Sequence, residues 1–277
     1  MEARRGARAG LVSLLEEILA TKKAEVEHLR TRGRSKSSRR PLDALQVLRR
    51  HPGEPLRLIA EVKLRSPSAG ALSRKMSPAE RAAAYVDGGA SMVSVLCDAR
   101  YFDGAWEHLA AARERLDRAG CTVPLLAKEF IIDETQIQEA RDRGADAVLL
   151  IARLVDAARL SRLARTARAE GLEPLVEVVD EPELEAALAA DARVIGVNAR
   201  DLDSLAMDRA RATRVCGAIP PEAVAVHFSG LSEPQDIAVV ARGRADAALV
   251  GEALMREDDP RPRLRAMLSA ANSAKNG

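Results

Sequence analysis

Short apolar runs alternate regularly with amphipathic helical stretches along this chain. Eight apolar runs are candidate strands, at residues 58–62, 92–96, 123–127, 147–151, 174–178, 194–197, 223–228 and 247–250. Helical patterns separate them, for example at 78–87, 105–119, 134–143, 156–170, 181–190 and 232–241. Because neighbouring parallel strands need a long crossover connection, this order predicts a parallel sheet covered by helices.

The number of repeats distinguishes an open sheet from a closed one. Doubly wound open sheets usually have about five to seven strands and a glycine-rich first turn. Here the first strand candidate ends in charged residues, and no GxGxxG follows it. We therefore predict the fold class α/β, a (β/α)₈ TIM barrel in one domain over residues 1–277.

An N-terminal helical extension at residues 1–55 precedes the barrel. Apolar residues recur there at helical spacing, at Leu11, Leu14, Leu15, Ile18, Leu19, Val26 and Leu29, and again at Leu42, Leu45, Val47 and Leu48. The arginine-rich residues 30–40 between the two patterns are expected to be a solvated, flexible linker. We expect the helices to cover the barrel mouth or flank it.

Composition excludes several classes of protein. The 43 basic and 41 acidic residues nearly balance and are interspersed, which argues against a nucleic-acid partner. The three cysteines are too few and too scattered for a disulfide framework or a zinc cluster, and they fit a reducing compartment. Without an apolar run of about 18 to 20 residues, we predict no membrane association and a cytoplasmic location.

Charged residues at the end of the first strand candidate give the first sign of an active site. Ile59, Glu61 and Lys63 fall on one face of the strand, and Ser66 follows them. A buried carboxylate and ammonium are costly unless they are paired or functional. Catalytic barrels gather reactive groups at the carboxyl ends of their strands. A purely structural interior salt bridge is the alternative.

Other strand candidates end in polar residues as well. Lys128 ends the third, Glu177 lies in the fifth and Asn198 ends the sixth. Lys128 alone could be a solvated strand end. Together with Glu61 and Lys63, however, these residues supply two lysines and two carboxylates to one barrel mouth. That set suits paired acid–base chemistry without a metal ion or a nucleophilic cysteine.

Small residues after the last two strand candidates predict a phosphate site. Ser229-Gly230 follows the seventh, and Gly251-Glu252 follows the eighth. In barrels these loops lead into helix N-termini, where backbone amides hold an anion. The position therefore indicates a phosphorylated substrate.

These motifs resemble those of the indole-3-glycerol phosphate synthase family. The similarity covers essentially the whole chain, from the KKAEV segment at Lys22 to the GEALM segment at Gly251. Between them lie IAEVKLRSPS from Ile59, YFDG from Tyr101, LLAKEFI from Leu125, GADAVLLI from Gly144, EPLVEV from Glu173 and IGVNARDL from Ile195. The resemblance implies a lyase of tryptophan biosynthesis. Its reaction closes, decarboxylates and dehydrates 1-(2-carboxyphenylamino)-1-deoxyribulose 5-phosphate to indole-3-glycerol phosphate.

The resemblance also implies catalytic roles. Lys128 corresponds to the general acid of ring closure, and Lys63 with Glu177 to the acid and base of dehydration. Glu61 positions Lys63. The order in which the two lysines act stays open. No cofactor is implied, because ring closure itself creates a cationic iminium that accepts the electrons of the departing carboxylate.

Substrate contacts follow from the same resemblance. Asn198 and Arg200 correspond to contacts with the anthranilate end and its carboxylate. The phosphate-site positions are Ser66, Ser229, Gly230, Gly251 and Glu252. Phe102, Phe130 and Leu149 resemble the wall around the aromatic ring, with plain core packing as the alternative. The expected partner is a phosphorylated aromatic-amine sugar, bound by a monomer or weak homodimer.

Two positions depart from the family. Leu64 stands where a basic residue is usual, and Phe228 stands where the seventh strand normally has a glutamate facing the active site. Phe228 should make the pocket smaller and more apolar. It should also lower the pKa of Lys63 or Lys128 unless another group compensates. Two alternatives therefore stay open: a diverged paralogue in specialised metabolism with an altered aromatic substrate or product, and a barrel that binds a phosphorylated ligand without turning it over.

Overall fold

The computed structural model describes residues 14–34, 36–66, 70–201 and 206–274, and its centre is a closed barrel of eight parallel strands. The strands are β1 (Arg57–Val62), β2 (Met92–Leu96), β3 (Leu125–Lys128), β4 (Ala147–Ile151), β5 (Glu173–Val178), β6 (Val194–Asn198), β7 (Val224–Phe228) and β8 (Ala247–Val250). Each strand pairs with the next along the chain, and β8 closes the ring against β1 with Ala247 opposite Arg57. The predicted (β/α)₈ barrel is confirmed, with every strand bound within two residues of its prediction.

Helices precede the barrel and lie between its strands. They are α1 (Leu14–Thr31), α2 (Ala44–Leu48), α3 (Pro78–Gly88), α4 (Ala99–Phe102), α5 (Trp106–Arg118), α6 (Glu134–Asp142), α7 (Ala157–Ala169), α8 (Glu181–Ala189), α9 (Arg209–Gly217), α10 (Pro234–Ala241), α11 (Glu252–Met255) and α12 (Arg261–Ser273). The two N-terminal helices are as predicted, although Leu11 lies outside the described residues. The helical patterns quoted from the sequence include neither α9 nor α12. The buried face of α9 offers only Ala212, Val215 and Cys216 and so gives a weak apolar signal.

Alternation along the strands divides the core into two layers. In β1, Leu58, Ala60 and Val62 face outward and pack under the helices, whereas Ile59 faces the barrel interior. The interior also contains Met92, Leu126, Leu149, Leu175, Val194, Val226, Phe228 and Leu249. The predicted sharing of faces in β1 is confirmed. It places the side chains of Glu61 and Lys63 on the inner side of the mouth.

Two aspartates stabilise the opposite end of the barrel. Asp146, just before β4, accepts hydrogen bonds from the Leu125 amide at 2.8 Å and the Leu42 amide at 2.7 Å. Asp246, just before β8, accepts one from the Ala225 amide at 2.8 Å. Each carboxylate therefore joins the start of its own strand to the strand before it. Asp146 also connects the N-terminal extension to the barrel.

Residues 30–34 and 36–40 are mostly exposed, as expected for a solvated linker, but two of their arginines bind the barrel layer. Arg34 forms ion pairs with Asp142 at 2.9 Å and with Glu170 at 2.7 Å. Arg39 pairs with the buried carboxylate of Asp146 at 2.5 Å. The arginines of this segment thus bind acidic groups of the barrel layer, a use that arginine-rich composition alone does not reveal.

The cysteines and the hydrophobicity of the helices complete the description of the fold. Cys97, Cys121 and Cys216 are free thiols. Among the helices of the described ranges, none combines the length and apolar character that a membrane span needs.

The Asp146 connection predicts a large loss of stability on substitution. In Asp146→Ala the Leu125 and Leu42 amides and two arginines lose their acceptor, so we expect the free energy of unfolding to fall by about 3–5 kcal/mol. Asp258→Ala removes one partner of an exposed ion pair and should cost less than about 1 kcal/mol. Urea unfolding of both variants measures the difference; equal losses would contradict this role of Asp146.

Candidate active site

The residues predicted from strand ends and motifs surround one cavity at the carboxyl end of the barrel. It is lined by Glu61, Lys63, Ser66, Phe102, Lys128, Phe130, Leu149, Glu177, Asn198, Arg200, Phe228, Ser229, Gly230, Gly251 and Glu252. The structure therefore brings together all of the predicted site residues.

Further lining residues were not predicted. They are Leu14, Ile18, Leu96, Tyr101, Glu129, Ile151, Leu231 and Leu249. Most are apolar, and an apolar wall residue has the same sequence signal as a core residue. Tyr101 and Glu129 could have been found, because they lie within the YFDG and LLAKEFI motifs.

At the end of β1, Lys63 and Glu61 form the first charged pair of the cavity. The Lys63 ammonium lies 2.8 Å from Glu61 Oε1, and Glu61 is only 2% exposed. A Cβ atom at Gly251 would lie 2.6 Å from the same oxygen. Glycine is thus needed after β8 for the backbone to approach this carboxylate closely. Both partners of this ion pair line the cavity.

A second charged pair lies across β3, β5 and β6. Glu177 Oε2 lies 3.2 Å from the Lys128 ammonium, and Glu177 Oε1 accepts a hydrogen bond of 2.8 Å from the Asn198 amide group. Asn198 Oδ1 in turn accepts a bond of 3.0 Å from the Arg200 backbone amide. Both oxygens of the buried Glu177 carboxylate therefore have partners, and its orientation is fixed from β6, the next strand, and from β3, two strands away on the other side.

Phe228 occupies the floor of the cavity beside Lys128. The Lys128 ammonium lies 5.4 Å from the centre of the Phe228 ring, within the range of a cation–π interaction. A Cβ atom at position 196 would lie 2.6 Å from Phe228 Cζ, so Gly196 in β6 makes room for the ring. The floor is apolar here, as expected. A carboxylate lies beside each lysine of the cavity, Glu177 beside Lys128 and Glu61 beside Lys63.

The turn after β7 has an unusual backbone. Ser229 and Gly230 both have positive φ, at 66° and 73°. Non-glycine residues rarely adopt this region, and such strain often marks functional turns. The turn brings the backbone of these two residues to the rim of the cavity, opposite the lysine of β3.

Tyr101, Phe102 and Phe130 form an aromatic wall on one side of the cavity. A buried charge cluster lies next to this aromatic wall. Lys22 of α1 contacts Asp98 at 2.7 Å and Glu129 at 2.8 Å. Burial raises the pKa of the Glu129 carboxyl to about 7, although Lys22 opposes this shift.

Comparison with known proteins decides the family. The family model described as indole-3-glycerol phosphate synthase matches residues 15–267. The chain belongs to the indole-3-glycerol phosphate synthase family. Two relatives named indole-3-glycerol phosphate synthase align with this chain over nearly the whole length of both proteins. The first, indole-3-glycerol phosphate synthase 1 of Streptomyces coelicolor, is 41% identical over 94% of this chain and 96% of its own. The second, from Mycobacteroides abscessus, is 40% identical over 91% of this chain and 90% of its own.

Solved structures support the barrel fold of this indole-3-glycerol phosphate synthase family member. A 3-hexulose-6-phosphate synthase from Salmonella typhimurium aligns with a TM-score of 0.61 at 16% identity, covering 79% of this chain and all of its own. A thiamine phosphate pyrophosphorylase from Pyrococcus furiosus aligns with a TM-score of 0.60 at 14% identity, covering 79% and 96%. At these identities the similarity concerns the fold alone.

Glu129→Gln tests the titration of the buried cluster in this synthase-family chain. The pKa of Glu129 in the folded state, about 7, exceeds its ordinary value of 4.5. The folded protein therefore retains a proton that the unfolded chain releases between these two pH values, and stability falls as the pH rises through this window. The glutamine cannot ionise. From about pH 5 to pH 7 the free energy of unfolding of the variant should therefore rise relative to that of the wild type, by up to about 1.4 kcal/mol per pH unit.

Urea unfolding of both proteins across this range measures the effect. Above about pH 7 the difference should become constant. Stability curves that stay parallel from about pH 5 to pH 8 would show that the Glu129 carboxyl keeps its ordinary pKa.

Proposed function

We propose that this chain acts as an indole-3-glycerol phosphate synthase, a carboxy-lyase of tryptophan biosynthesis. Its substrate is 1-(2-carboxyphenylamino)-1-deoxyribulose 5-phosphate, and its products are indole-3-glycerol phosphate, carbon dioxide and water. The main support for the proposal is that two lysine–carboxylate ion pairs, Lys63–Glu61 and Lys128–Glu177, face one cavity. The match over residues 15–267 supports it.

Ring closure is the first step, and we assign its acid to Lys128. The ring carbon that bears the carboxylate attacks the ketone carbon of the sugar chain, and the ketone oxygen takes a proton from the Lys128 ammonium. Glu177 holds this ammonium in the cavity at 3.2 Å. The new bond leaves the ring carbon tetrahedral and converts the aromatic amine to an iminium.

Decarboxylation follows without a further catalyst group. The bond to the carboxylate breaks, carbon dioxide leaves, and its electron pair returns to the ring, which neutralises the iminium and restores aromaticity. An apolar floor at Phe228 favours this step. The carboxylate and the iminium are poorly solvated there, so little solvation is lost when decarboxylation removes both charges.

Dehydration completes the indole. In our assignment Lys63 gives a proton to the hydroxyl formed from the ketone, which leaves as water. Glu177 takes a proton from the neighbouring CH₂ carbon, so the double bond forms between the two carbons. Two lysines have then lost a proton and Glu177 has gained one, and solvent restores all three. Glu61, 2.8 Å from Lys63, positions the acid.

The remaining residues are assigned to substrate binding. The phosphate is placed at Ser66, Ser229, Gly230, Gly251 and Glu252. Phe102, Phe130 and Leu149 are placed around the aromatic ring, and Arg200 at its carboxylate. Asn198 orients the base through its hydrogen bond to Glu177. Leu14 and Ile18 of α1 line the same cavity, which supports treating residues 1–277 as one domain. The proposal includes a cytoplasmic monomer or weak homodimer that needs no cofactor.

Lys128→Met is the direct test of the proposed acid. Mixing the purified protein with the substrate should give growing indole fluorescence, and the variant should lower kcat by about 10²- to 10⁴-fold, the usual contribution of a general acid. Lys23→Met, at an exposed position of α1, should stay within about twofold of wild type. Wild-type turnover that survives Lys128→Met unchanged would remove Lys128 from the mechanism.

The same assay distinguishes the other functions. Phe228 favours a diverged paralogue with an altered aromatic substrate or product, because it places a ring beside Lys128 where the family has a carboxylate. A product of different mass would support that function. Binding of the substrate without any turnover would instead indicate a phospholigand-binding barrel.

A further inference from the structure

Lys22 of α1 is completely buried, although it belongs to a helix on the outside of the barrel. Its ammonium lies 2.7 Å from Asp98 Oδ1, 2.8 Å from Glu129 Oε1 and 2.8 Å from Glu25 Oε2. Asp98 follows β2 and Glu129 follows β3. One side chain of the extension therefore joins two neighbouring strand ends at the barrel mouth.

An ammonium at this position is not the simplest way to attach a helix. Burying a charge is costly, and an apolar side chain of similar length often stabilises a buried site as well or better. Burial works to lower the pKa of Lys22, but the carboxylates of Glu129 and Asp98 outweigh burial and raise it. Lys22 therefore stays charged at the pH values at which proteins function. A charge so enclosed imposes a specific geometry on the groups that bind it.

Both buried carboxylates that bind Lys22 also orient the aromatic wall. Asp98 accepts a hydrogen bond of 2.7 Å from the Tyr101 amide, and Glu129 Oε1 accepts one of 2.6 Å from the Phe130 amide. The rings of Tyr101 and Phe130 meet edge to face with centroids 6.3 Å apart. The Lys22 ammonium itself lies 6.0 Å from the centre of the Phe130 ring.

The cluster is also adjacent to the reacting groups. Glu129 follows Lys128 directly in the chain, and both side chains line the cavity. On α1, Ile18 and Leu14 lie one and two turns before Lys22 on the same face, and both line the cavity. Lys22 thus lies where the extension, the aromatic wall and the end of β3 meet.

We propose that Lys22 is a positioning residue of the active site: by binding Asp98 and Glu129 it holds α1 across the barrel mouth and sets the aromatic wall that binds the substrate ring. The proposal rests on the proposed function, because it gives this wall a substrate. It assigns the N-terminal extension a part in substrate binding through a charge rather than through apolar packing alone.

Lys22→Met, with Lys23→Met as the matched control on the same helix, tests the proposal. Since the wall contacts the substrate ring before and during the reaction, Lys22→Met should raise KM about tenfold and change kcat less than about threefold. Lys22→Arg keeps a cation and should restore most of the lost affinity. Lys23→Met should match the wild type.

Hydrogen exchange of the substrate-free protein supplies a readout independent of activity. Lys22→Met should speed amide exchange in residues 14–31, 99–102 and 129–132 and leave β6 and β7 unchanged. Wild-type KM and wild-type exchange in Lys22→Met would overturn the proposal, and so would faster exchange throughout the barrel, which would indicate a purely structural lysine. If the wild-type protein fails to turn over the substrate, the proposed function fails, while the exchange pattern still decides whether Lys22 holds these segments.

Discussion

The structure depends on placing opposite charges together in the mouth of a closed barrel. Closure forces every strand end to face the same opening, so charged residues that would be scattered in an open sheet must lie close together. Glu61 and Glu177 are nearly inaccessible, and each is stable there because an ammonium lies within 3.2 Å. The same pairing that makes the burial tolerable holds the two proposed proton donors, Lys63 and Lys128, at the cavity.

The rest of the chain supports this arrangement from two sides. At the far end, Asp146 joins β3, β4 and the extension through backbone amides and arginines. At the mouth, Lys22 brings α1 against the ends of β2 and β3. Both contacts connect the helical extension to the barrel through buried charges. The extension is therefore attached at both ends of the barrel, and its first helix forms part of the cavity wall.

Much of the fold and site could be predicted from residues alone. Strand alternation and eightfold repetition are local patterns, and a lysine or glutamate in an apolar strand such as β1 or β3 is a conspicuous exception to them. The cavity residues Leu14, Ile18 and Leu249 are apolar residues at apolar positions, so the sequence pattern does not mark them as site residues. The Lys22 cluster was hidden for another reason: a lysine in an amphipathic helix usually faces solvent, and its two buried carboxylate partners lie 76 and 107 residues away in sequence. Nor did sequence show that Glu177 pairs with Lys128, since that depends on strand register.

In the proposed mechanism, Glu177 holds the acid of ring closure and then serves as the base of dehydration. A single-turnover reaction of Glu177→Gln separates these two roles when carbon dioxide release and indole formation are followed in the same sample. Glutamine can still accept a hydrogen bond from Lys128 but cannot take the proton from carbon. We expect carbon dioxide to be released while indole formation slows by at least about 10²-fold. If carbon dioxide and indole appear together, at whatever rate, Glu177 is not the base of dehydration.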